Sequence, residues 1–159
     1  ARSLRDSVKG DPEGRAQMAL GQYIAGMGFS NVGLGIVHSM AHPLSAVYDI
    51  PHGVACAILL TPVLKFNAPS TANKYRDIAV AMGVKNTEDM SIEQARQACI
   101  EAVEKLSVDV GIPQKLTQLG VKEEDLQFLS ESAFVDACTP GNPRNVSVEA
   151  IKEIYKSIM

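Results

Sequence analysis

His38, His42 and His52 are the whole histidine supply of this chain, and they fall within fifteen consecutive residues at the spacing H-x3-H-x9-H. Imidazole is the commonest side-chain ligand for transition metals and carries protons near neutral pH, so the cluster points to a metal or proton-transfer site. His38 and His42 are four apart, which on a helix puts both rings on one face about one turn apart. Pro43 removes a backbone hydrogen bond one turn back and is expected to bend the helix near His42, opening it toward a cavity. Pro51 suits the first position of a following helix, which places His52 in its first turn. There the positive end of the helix dipole disfavours imidazolium and keeps the ring in the form that binds metal. A single histidine on an apolar helix face is more often a hydrogen-bonded core residue, but the joint pattern favours function.

The elements that must position these rings read as helices nearly throughout, with no apolar-polar alternation of strand length. An all-α, multi-helix bundle forming a single domain over residues 1–159 is therefore expected. An Ala-rich helix runs from about Pro12 to Gly26, a Gly-spaced one from about Asn31 to Val47, and a third opens at Pro51. Ser70 to Met82 is amphipathic, with Tyr75, Ile78, Ala79 and Met82 on one face and Gly83 as its stop. Ser91 and Gln94 form a capping-box pattern that opens IEQARQACIEAVEKLSVDVG, which Gly111 and Pro113 end. After a short KLTQLG come a helix from Lys122 to Ala137 and a last one beyond Ser147, separated by the turn-rich CTPGNPRN.

The pairs Gly26-x-Gly28 and Gly33-x-Gly35 fail as dinucleotide fingerprints. Asn31 and His38 stand where the third glycine belongs, and no strand precedes either pair. Gly33 and Gly35 are expected to permit close helix crossing.

At 159 residues, 46% apolar and 21% charged, the chain has ordinary globular composition. A net charge of −3 with scattered Lys and Arg offers no basic stripe, which argues against nucleic acid. Cys56, Cys99 and Cys138 are odd in number and lack C-x-x-C spacing, so a reducing cytoplasm fits better than a disulfide framework or a thiolate zinc site. The apolar run from Gly53 to Leu64 is short of the ~20 residues of a membrane span and reads as a buried helix. ARSLRDSVKGDPEGRAQ has no hydrophobic signal region or initiator Met and starts within a helical-looking segment, so a fragment of something longer is expected.

GIVHSMAHPLS followed by DIPHG resembles the G-x-x-H-x-x-A-H-x-x-G and P-H-G signature of the iron-dependent, group III alcohol dehydrogenases. The similarity extends to AQMALGQYIAGMGFSNVGLG, KYRDIAVAMGV, GIPQKL and CTPGNPR, and so covers nearly the whole chain. The resemblance implies the C-terminal helical domain of a dehydroquinate synthase-like, two-domain enzyme whose N-terminal α/β half carries most of the nicotinamide site. It implies that His38 and His52 are metal ligands, joined by an upstream Asp and His, and that His42 sits near the nicotinamide and helps move the alcohol proton. Phe29 and Cys138 match positions lining the substrate cleft; without the resemblance they read as a core residue and an inert helix-end thiol.

Ser45, where the family usually has Gly, and Cys56, where Asn is frequent, are departures expected to alter local packing and cavity shape without touching a metal ligand. The implied chemistry is Lewis-acid catalysis by Fe2+, or Zn2+ in some relatives, with hydride exchanged between a short alcohol or aldehyde and NAD(P). A homo-oligomeric intact enzyme, no membrane or nucleic-acid partner, and an inactive isolated chain are the remaining expectations. Two other readings compete: a stand-alone metal-binding helical module completed by Asp49 or Glu side chains, and an interaction domain with structural histidines.

Overall fold

The computed structural model describes all 159 residues and contains eight α-helices, short 3-10 turns and no strand, the all-α class read from the sequence. The helices cluster into two units. The first comprises Ala1–Gly33 and Asn73–Gly111, the second Leu34–Ala72 and Ile112–Met159.

In the first unit, α1 (Leu4–Val8) packs on α2 (Pro12–Val32), and α5 (Lys74–Ala81) packs on α6 (Ile92–Asp109). Asp11 caps α2 by accepting from the Gly14 N–H at 2.6 Å, and Pro12 takes the first helical position, where a missing N–H costs nothing. The capping box of α6 is complete. Ser91 Oγ accepts from the Gln94 N–H at 3.2 Å, and the Ser91 N–H donates to Gln94 Oε1 at 2.7 Å. Arg5 on α1 pairs with Asp109 at the end of α6 at 2.7 Å. On α5, Tyr75 and Ala79 are buried as expected, whereas Ile78 is exposed.

Several boundaries differ from the expected ones: α3 starts at Ile36 rather than Asn31, and α5 spans only Lys74–Ala81 of the expected Ser70–Met82. α2 continues through Gly26 to Val32, because a glycine weakens a helix without being obliged to end it. The stop comes at Gly33, whose φ of +80° is a left-handed conformation suited to a residue without a Cβ. Gly33 thus ends a helix rather than easing a crossing, and a Cβ there would meet nothing within 4 Å. The close approach is at Gly35, where a Cβ would stand 3.2 Å from the Asn142 side chain, which belongs to a loop and not to a helix.

The second unit holds α3 (Ile36–Tyr48), α4 (His52–Asn67), α7 (Leu126–Phe134) and α8 (Val148–Lys156). α3 packs on α4 and α7, and α7 packs on α8. Ile36, Met40, Leu44, Leu59, Leu129 and Tyr155 are fully buried between them. Pro43 is buried inside α3, which remains helical to Tyr48. The expected helix from Lys122 to Ala137 opens as a 3-10 turn at Glu123–Asp125 and is α-helical only over α7.

α4 and the turn after it make a continuous stretch, His52–Ser70, of 19 residues with mean hydropathy 1.2, long and apolar enough by length and composition to cross a membrane. The twelve-residue apolar run understated it because the helix carries on past Lys65. Ala55, Ile58, Leu59 and Val63 of this stretch are buried in the unit's core.

Candidate active site

α3 projects His38 and His42 from one face, and its last turn ends at Asp49, which takes a left-handed φ of +57°. That reversal, followed by buried Ile50 and the extended Pro51, returns the chain so that His52 opens α4 facing the other two rings. The His38 and His42 ring centres are 6.4 Å apart, His38 and His52 5.4 Å, and His42 and His52 5.5 Å with the last two rings nearly parallel. Three side chains spread over fifteen positions therefore form one group. Burial first, and then the neighbouring His52 and His42 rings, lower the His38 pKa, so this ring is held neutral, the form a metal requires.

Two further side chains complete the arrangement. Cys56 Sγ lies 3.4 Å from His52 Nε2, so the expectation that Cys56 stays clear of the histidines is overturned. The cause is helical: residues four apart on α4 share a face. One ligand atom from each of His38, His52 and Cys56 falls within 4.8 Å of the others, a donor set of two imidazoles and a thiol that fits a divalent transition metal. Asp49 does not belong to this group, and burial pushes the Cys56 thiol up from its ordinary pKa.

On the other side of His42, its Nδ1 meets Asp136 Oδ2 at 2.8 Å, and Asp136 Oδ1 accepts from the Cys138 N–H at 2.8 Å. Against the upward push of burial, the Cys138 N–H and the His42 ring hold the Asp136 carboxyl below the usual carboxylate range. It is ionised at neutral pH and accepts from His42 Nδ1–H, an arrangement that in the neutral tautomer of the ring leaves Nε2 as the proton-accepting nitrogen. Cys138 is brought beside His42, its thiol pushed up by burial and by Asp136. Phe29 lies on α2 in the first unit and is 46% exposed.

The loop that carries Asp136 and Cys138 is fixed to the histidine helices. The Thr139 hydroxyl stands 2.8 Å from Ser39 Oγ and 2.7 Å from the Ala133 carbonyl, tying the loop to α3. Asn142 and Asn67 exchange hydrogen bonds at 2.8 and 2.9 Å, and the Arg144 guanidinium stacks 4.2 Å over the Phe66 ring, tying it to the end of α4. The Tyr155 hydroxyl on α8 donates to the Met40 carbonyl at 2.6 Å, between the two histidines of α3.

Sequence reasoning missed Asp136 and Cys56 as members of this group. Cys56 could have been found from its four-residue offset to His52, whereas Asp136 stands 94 positions from His42 with no local signal linking them.

All residues, 1–159, match the C-terminal model of the Fe-containing alcohol dehydrogenase family. The chain is 58% identical over 155 residues to the lactaldehyde reductase of Escherichia coli strain K12, covering 98% of this chain and 40% of that protein. It is 43% identical over 158 residues to the 1,3-propanediol dehydrogenase of Citrobacter freundii, covering 98% of this chain and 41% of the relative. A crystal structure of a 1,3-propanediol oxidoreductase superposes with a TM-score of 0.96 at 41% identity, over 99% of this chain and 42% of the other. The chain spans about two fifths of the length of the curated relatives it matches. With a family match over its full length and a near-superimposable helical fold, the chain belongs to the Fe-containing alcohol dehydrogenase family and carries its C-terminal portion.

Proposed function

We propose that this chain forms the metal-binding and proton-handling wall of an NAD(P)-linked alcohol dehydrogenase that interconverts short alcohols and aldehydes. The observation that carries the reading is the convergence of His38, His42 and His52, with ring centres 5.4 to 6.4 Å apart, beside a carboxylate that orients one of them. In this assignment His38 and His52 hold the metal, Fe2+ or Zn2+, and an N-terminal α/β half supplies the remaining ligands and most of the nicotinamide site. When bound, the metal supplies Lewis acidity at the substrate oxygen and the nicotinamide gives or takes hydride.

The work of this chain's own residues is positional and acid-base. His42 Nε2 takes the hydroxyl proton of an alcohol or returns one to a forming alkoxide. Asp136 fixes the tautomer that makes this possible and stabilises the imidazolium that results. Cys138, next to that pair, and Phe29 are assigned to the substrate cleft. The three free cysteines fit a reducing cytoplasm, and the intact enzyme is assigned as a homo-oligomer.

Residues 1–159 act as one helical catalytic domain in this reading and are inactive without their nucleotide-binding partner. The test compares NADH-dependent reduction of short aldehydes by residues 1–159 alone and by the same residues joined to the N-terminal half. Activity only in the joined protein, lost in His38→Ala and His52→Ala, is expected. Measurable turnover by residues 1–159 alone would overturn the assignment.

A further inference from the structure

Gly141 closes the 3-10 turn Thr139–Gly141 that follows Asp136 and Cys138. Its φ is not in the left-handed region, so its backbone does not itself require glycine; the requirement is for space. A Cβ at this position would stand well inside van der Waals contact with the Leu34 carbonyl oxygen and 3.3 Å from the Leu34 carbonyl carbon, immediately before the N-cap of α3. These are backbone atoms, so no rotamer change relieves the overlap. α3 is the stiffer side, because Ile36, Met40 and Leu44 are fully buried and Tyr155 holds the Met40 carbonyl. The turn is the softer side, held by the Thr139–Ser39 hydroxyl pair and the Asn142–Asn67 amides.

Displacement at Gly141 reaches Asp136 through the turn's own hydrogen bonds. The Gly141 N–H donates to the Cys138 carbonyl at 3.1 Å, the Cys138 N–H to Asp136 Oδ1 at 2.8 Å, and the Thr139 N–H to the Asp136 carbonyl at 3.1 Å. Asp136 therefore travels with the turn. Its bond to His42 Nδ1 is 2.8 Å long, and a shift of roughly 1 Å takes such a pair out of hydrogen-bond range.

We infer that the turn Thr139–Gly141 is a positioning element for Asp136, and that Gly141 is the residue that sets its depth: only a bare Cα seats against the Leu34 carbonyl closely enough to keep the carboxylate on His42. The inference rests on the reading of His42 and Asp136 as the proton-handling pair. Gly141 acts through Asp136 and has no side chain to offer the reaction.

The test compares Gly141→Ala, Asp136→Asn and the double variant in the intact enzyme for kcat, KM and bound metal. Gly141→Ala should lower kcat by about 100-fold, the cost of a misplacement of ~1 Å, with bound metal unchanged. Because both substitutions break one interaction, kcat of the double variant should lie within about twofold of Asp136→Asn alone. Thr139→Val, which loosens the same turn without adding bulk, should lower kcat by about five- to tenfold, the equivalent of one hydrogen bond, and Thr139→Ser should restore it. In the full chain, the downfield proton resonance of His42 Nδ1–H should be lost in Gly141→Ala and kept in Thr139→Ser.

Costs that multiply in the double variant, or metal lost from Gly141→Ala, would make the glycine a structural residue and overturn the inference. An unchanged kcat in Gly141→Ala beside an impaired Asp136→Asn would overturn it and leave the proton-handling pair intact. Full kcat in Asp136→Asn would instead remove the pair, and the inference with it. Where circular dichroism shows Gly141→Ala unfolded, the threonine variants decide, and equal kcat in Thr139→Val and Thr139→Ser would overturn the positioning role of the turn.

Discussion

In the role proposed for it, His42 carries a proton only with its open nitrogen toward the substrate, and one carboxylate sets its tautomer. In Asp136→Asn the Cys138 N–H still binds the side-chain oxygen, which turns the new amide NH2 toward His42 Nδ1. The ring must then accept at Nδ1 and carry its proton on Nε2, the wrong tautomer for taking a proton from an alcohol. Nitrogen-15 chemical shifts of His42 should report this exchange of protonated nitrogen, and an unchanged tautomer would remove Asp136 from its role. In the intact enzyme, His42→Ala should lower kcat by roughly 100- to 10,000-fold while leaving bound metal unchanged, as metal analysis would show. A loss of metal in that variant would place His42 among the ligands instead.

At the scale of elements, α3 carries an avoidable cost. The Ser45 hydroxyl is buried without a hydrogen-bond partner. Ser45→Ala removes the orphan group and substitutes a better helix former, so urea denaturation should show a gain of about 1 kcal/mol. α1 is held differently, by the exposed Arg5 guanidinium on Asp109. Hydrogen bonds from Lys105 and Arg5 hold the Asp109 carboxyl below the usual carboxylate range. A carboxyl depressed in the folded state contributes stability that is present above its ordinary pKa and lost as pH falls through the lowered folded value. Protection factors of the α1 amides, exchange rates corrected for the intrinsic effect of pH, should therefore fall on acidification below the ordinary carboxylate pKa, and Asp109→Asn should abolish that fall; an unchanged protection profile in that variant would show that the pair does not anchor α1.

Over the whole molecule, legibility followed the range of the interaction. The capping box at Ser91 and the shared face of His38 and His42 were readable because both lie within one helical turn. The end of α2 was misplaced because Gly26 and Gly33 look alike in sequence, and only a left-handed φ at Gly33 separates a tolerated glycine from a stop. Asp136 was hidden because its approach to His42 depends on how α7 and the loop after it settle on α3.

Long-range dependence of the same kind fixes α3 itself, since the Tyr155 hydroxyl binds the Met40 carbonyl across 115 positions. Tyr155→Phe leaves that buried carbonyl short of a partner and should destabilise the fold by about 1 to 3 kcal/mol in denaturant titration, whereas a cost near zero would show that the bond is dispensable.

The bond from Tyr155 to Met40 also puts the histidine site on a clock. At a synthesis rate of ~5 to 20 residues per second, the 115 positions between the partners correspond to roughly 6 to 23 s of translation after Met40 is made. During that interval the histidine-bearing helices exist without the helix that seats them. In the proposed role, metal capture follows the synthesis of α8, and a nascent chain arrested before α8 should emerge with its imidazoles present and its metal site unmade.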